Sequence, residues 1–125
     1  MKIGYFDQNT PSGMYPAYQY AEEQEVPLQH IDELSYLGAK DEEGDDPFDL
    51  DVLLVNPTLN RRQWQNLLDC VQKNPQIRFI FFLTPESAED FEQDDFSRFP
   101  NVESCIEFSE QFKRFNQLIE EAKKG

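Results

Sequence analysis

The sequence predicts an α/β fold: one doubly wound parallel sheet of five strands, order 2-1-3-4-5, with helices on both faces. Three observations carry this reading. The stretch Asp49–Thr84, DLDVLLVNPTLNRRQWQNLLDCVQKNPQIRFIFFLT, sets one amphipathic segment between two apolar runs. A strand, a helix long enough to cross back over a sheet and a second strand imply parallel pairing. The two runs, Val52–Val55 and Ile77–Leu83, are continuous rather than alternating, as suits strands covered on both sides. Strand-like and helix-like stretches alternate along the whole chain, the pattern of layered α/β domains. At 125 residues the chain is read as a single domain, 1–125.

In chain order, Lys2–Phe6 reads as the first strand. It gives out at Asp7-Gln8-Asn9, before the loop Thr10-Pro11-Ser12-Gly13. A helix starts near Ser12 or Tyr15, with Pro16 tolerated in its first turn. Tyr15, Tyr18, Tyr20 and Ala21 form its inner side, Glu22, Glu23 and Glu25 face water, and Val26-Pro27 ends it. Leu28–Leu34 is the second strand, nearer an edge. A short helix fits Glu33–Ala39, and the run DEEGDD, Asp41–Asp46, reads as an exposed loop.

In the crossover helix Asn60 caps, and Gln63 completes a loose capping box. Trp64, Leu67, Leu68 and Val71 recur at i, i+3, i+4 and i+7, one face of a helix. Trp64 is therefore expected to be buried against the sheet. Asn74-Pro75 stops the helix, because a residue before proline avoids the helical region. Pro85-Glu86-Ser87 opens the next helix, with proline and an acid suited to the first turn. Its apolar content is small, Phe91 standing among Glu89, Asp90, Glu92, Asp94 and Asp95, too little to hold it by burial alone. Phe96, Phe99 and Pro100 close it. Val102–Phe108 is the last strand. Ser109 caps a final helix with Phe112, Phe115, Leu118, Ile119 and Ala122 at helical spacing and Lys123-Lys124 at its end.

Charge narrows the partners. Eleven basic residues against 25 acidic give −14, which opposes binding to nucleic-acid phosphate and to an anionic membrane and favours a protein with a basic surface. No stretch reaches the roughly 18 apolar residues of a membrane helix, and no signal peptide is evident at Met1-Lys2. A cytoplasmic location is expected. Cys70 and Cys105 read as small core residues, not as a disulfide framework.

Site chemistry is sparse. There is no glycine-rich phosphate loop, His30 is the lone histidine, and the cysteines are not spaced for zinc. Asp41–Asp46 lacks the acid spacing and terminal glutamate of a calcium loop. No catalytic residue, metal or cofactor is assigned.

The order of elements resembles the receiver domain of two-component response regulators, a flavodoxin-like fold. The resemblance covers nearly the whole chain in pattern rather than in signature residues. LDVLLVNP is similar to the third receiver strand, with Asn56 where the phosphoacceptor aspartate stands. RFIFFLT is similar to the fourth, with Thr84 at the hydroxyl position. KIGYFDQ is similar to the first, with Asp7 and Gln8 at the two metal-binding acids. SCIEFSEQF carries no lysine at the place where the family has one. Receiver phosphotransfer needs a carboxylate nucleophile, a cation held by acids and a lysine. Asn56 cannot form an acyl phosphate. Asp7, Gln8, Asn56 and Thr84 thus outline a pseudo-phosphorylation pocket, although Asn56 and Thr84 equally suit turn capping at strand ends.

The resemblance implies a non-enzymatic signalling or adaptor module acting by protein–protein contact. Its contact face is expected around Asp90, Phe91, Glu92, Asp94 and Asp95, where acids interleave with rings, and continuing toward the final helix, as the resemblance implies. Two alternatives stand beside it. One is an acidic inhibitor that imitates nucleic acid and occupies a DNA- or RNA-binding protein. The other is a small flavodoxin-like cofactor binder using the strand ends.

Overall fold

Four short strands, the first three of them apolar runs, form a parallel ladder. In the computed structural model, which describes residues 2–6, 15–26, 28–31, 50–55 and 61–124, these are β1 (Ile3–Phe6), β3 (Val52–Val55), β4 (Arg78–Phe82) and β5 (Val102–Cys105). They pair in that order, all parallel. A three-residue strand, β2 (Gln29–Ile31), pairs parallel with β1 at the far edge. The sheet order is β2-β1-β3-β4-β5. Helices α1 (Tyr15–Glu23), α2 (Arg61–Lys73), α3 (Pro85–Gln93) and α4 (Phe108–Lys124) alternate with the strands. The expected α/β class with a parallel sheet is the class observed.

Because strand side chains alternate between faces, each continuous run feeds two cores. Phe6, Leu53, Val55, Phe79 and Phe81 point to one face, under α2 and α3. Ile3, Tyr5, Val52, Leu54, Ile80 and Phe82 point to the other, under α1 and α4. This is why the runs do not alternate in the sequence: both faces are covered. Gly4 permits the close approach at β1. A Cβ there would stand 2.5 Å from Leu50 Cδ1 and 3.3 Å from Ile31 Cδ1.

Local chemistry ends the helices. At the end of α1 the Val26 amide donates to Ala21 O at 2.8 Å, with Glu25 in the left-handed region at φ 62°, a Schellman-like stop. Glu22, Glu23 and Glu25 are exposed, as expected, and Ala21 is buried. In α2, Trp64, Leu67, Cys70 and Val71 are buried and Leu68 packs beside them. Asn74 closes α2 from inside the protein: its amide Nδ2 donates to Cys70 O at 2.9 Å, and its own carbonyl accepts from Asn101 Nδ2 at 3.3 Å.

The last strand and helix differ from the expectation. The strand ends at Cys105, not Phe108, and α4 begins at Phe108, so Ser109 lies inside the first turn and is not the cap. The reason is Gln111. Its Nε2 donates to Leu83 O at 3.0 Å, Cys105 O at 2.9 Å and Ile106 O at 3.2 Å. Those carbonyls take a side-chain partner at the sheet's edge, and the chain turns into a helix there. Phe112 also departs from its expected inward position: it is 62% exposed, while Phe115, Leu118 and Ile119 are buried. The expected helix at Glu33–Ala39, the Asp41–Asp46 loop, residues 32–34 of the second strand and the Asn60 cap lie outside the described residues, as do the side chains of Tyr15 and Tyr18.

Candidate functional site

Of the four residues outlining the expected pocket, Thr84 is described; Asp7, Gln8 and Asn56 lie outside the described residues. Thr84 follows β4 and is the N-cap of α3. Its Oγ1 accepts the Ser87 amide at 3.1 Å, and the Ser87 hydroxyl accepts the Thr84 amide at 2.7 Å. This reciprocal capping box satisfies two amides that the helix start would leave orphaned. Pro85 occupies the first turn, where its missing N–H costs nothing. The Thr84 hydroxyl is thereby committed to holding the helix.

The five residues of the expected contact face divide by burial. Phe91 is buried, so it is not a surface contact. It stacks on Phe96 with centroids 5.3 Å apart and meets Phe81 edge-on at 5.1 Å. Phe96 in turn sits 5.6 Å from Trp64. One ring from α3 thus enters a cluster fed by α2, β4 and the 3-10 turn Phe96–Arg98. Burial on α3 is limited to Ser87 and Phe91; the capping box fixes its start and Phe91 locks its inner side, with ring pairs adding about 0.5–1.5 kcal/mol beyond area. Phe99, half-buried, packs against the same cluster and carries the Arg98 guanidinium 4.7 Å over its ring.

The four carboxylates remain at the surface. Glu92 and Asp95 are exposed; Asp90 and Asp94 are half-exposed. Asp94 ends the helix, its amide donating to Asp90 O at 3.2 Å. Asp95 follows in the left-handed region at φ 55°, which aspartate tolerates better than most residues. Glu86 and Glu89 extend the acidic surface along α3. Among the described residues, Glu86, Glu89 and Glu92 form no ion pair.

Cations cluster instead between β5 and α4. Arg114 Nε donates to Glu103 Oε2 at 3.0 Å, with Arg78 and Glu121 at the margins, 4.0 and 3.9 Å away. Lys123 reaches across to Gln24 beyond α1. These contacts tie α4 to β5 and to the end of α1.

Neither thiol is activated. Burial pushes Cys70 up to about 11, more than the hydrogen bond from Asn74 lowers it. Burial and then the carboxylates of Glu110 and Glu103 raise Cys105. A thiolate nucleophile needs the opposite surroundings. A shallow cavity of about 430 Å³ lies at the amino ends of β3, β4 and β5, lined by Asp51, Arg78, Asn101 and Glu121 among others. It is the end opposite Thr84, and ligands of parallel α/β sheets sit at carboxyl ends. Among the described residues no group of three or more histidine, cysteine or acidic side chains is placed to hold a metal ion. None of their helices is long and apolar enough to cross a membrane.

Compared with known proteins, the chain matches no family model, no curated protein and no solved structure.

Proposed function

We propose that the protein is a receiver-like module without phosphotransfer chemistry, acting as a signalling or adaptor domain through contact with a protein of basic surface. The observation that carries this is the outer side of α3. Its inward side is filled by Ser87 and Phe91, while Glu86, Glu89 and Glu92 stand exposed with no ion pair among the described residues. Like charges held close repel, and a cationic partner relieves that repulsion. The sheet order β2-β1-β3-β4-β5 is also the order of flavodoxin-like folds. The commitment of Thr84 to helix capping supports the absence of chemistry at that strand end, as do Asn56 and Gln8 in place of acids.

The test has two arms. Incubation with acetyl phosphate and magnesium, followed by intact mass measurement, should give no adduct; one stable phosphoryl group, lost in Asn56→Ala, overturns the reading. For binding, Glu92→Lys combined with Asp95→Asn removes charge while keeping a residue that tolerates the left-handed backbone. Association with the partner captured from the native cell extract should slow and lose salt dependence. An unchanged rate and salt response would remove α3 as the contact.

A further inference from the structure

We draw no further inference here: the strongest candidate, the shallow cavity at the amino ends of β3, β4 and β5 with Asp51, Arg78, Asn101 and Glu121 in its lining, carries none, because the Asn101 amide is committed to the carbonyls of Asn74 and Ile77, Arg78 and Glu121 belong to the margins of the Glu103–Arg114 pair, and nothing in the structure shows what fills it.

Discussion

Beneath α2 and α3 the core includes an interlocked cluster of rings; beneath α1 and α4 the rings of Tyr5, Phe82 and Phe115 lie among aliphatic side chains. On the first face Trp64, Phe81, Phe91 and Phe96 interlock, with centroid separations from 5.1 to 6.3 Å. On the second, Ile3, Val52, Leu54, Ile80, Leu118 and Ile119 fill the space, and Tyr20 meets Phe115 at 6.2 Å. Rings have few rotamers and large area, so a ring cluster closes with one geometry. The second face closes along the middle of α4 and stops short of its start. One face is closed along both of its helices; the other leaves Phe112 in water at the corner where α4 begins.

Trp64 stands at the centre of the ring cluster. Trp64→Ala should cost about 3–5 kcal/mol in urea denaturation, against about 2–5 for Leu118→Ala on the other face. Against a total stability of about 5–15 kcal/mol, the first change should bring the protein close to unfolding. Equal costs would mean that the ring cluster confers no special closure.

Gly4 probes the first face from the sheet side. Gly4→Ala drives a methyl against Leu50, which is itself buried. Overpacking of this kind costs about 1–3 kcal/mol, read as a lowered melting temperature. A neutral result would show that Leu50 has room to change rotamer.

The two thiols report on the two faces separately. Cys70 belongs to the ring-covered core, and Cys105 lies half-buried at the margin of the other. A disulfide reagent at pH 8 should modify Cys105 first and Cys70 only as fast as the protein opens. The Cys70 thiol is raised from 9.0 to about 11 by burial, so the native state keeps a proton that the unfolded chain releases. Its contribution is intact below pH 9 and is lost as the pH rises through about 11. Cys70→Ala should therefore remove part of the alkaline fall in stability. If both thiols react at one rate, the faces are equally sealed.

Thr84→Ala should cost about 1 kcal/mol through loss of the capping box, with α3 amides exchanging faster. Smallest of all, Phe112→Ser should change stability by about 0.5 kcal/mol or less, as for other exposed positions. A larger loss would mean that Phe112 packs in solution and that the corner is closed.

The central unit was legible in the sequence because its signals are local. Val52–Val55 and Arg78–Phe82 are continuous apolar runs, and Trp64, Leu67 and Val71 follow the helical period that buries them. The Asn74-Pro75 stop and the Pro85 start depend on backbone restrictions carried by the residues themselves. The two faces of the core follow from the same pleat. Position on the sheet was not legible. Phe91 and Phe112 both stand among charged residues, yet one is a core ring and the other is in water. Periodicity marks a stripe on a helix, but how much of the stripe is covered depends on what lies under it. Phe91 sits above Phe81 and beside Phe96, a residue of the following turn. Phe112 belongs to the helix over β5, the edge strand, whose outer flank carries no further strand among the described residues. The end of β5 was decided the same way. Nothing in Ile106–Phe108 halts a strand; the amide of Gln111, brought back by the helix it helps to start, takes the carbonyls of Leu83, Cys105 and Ile106. A bond between residues that meet only after the sheet has formed is a property of the tertiary structure alone.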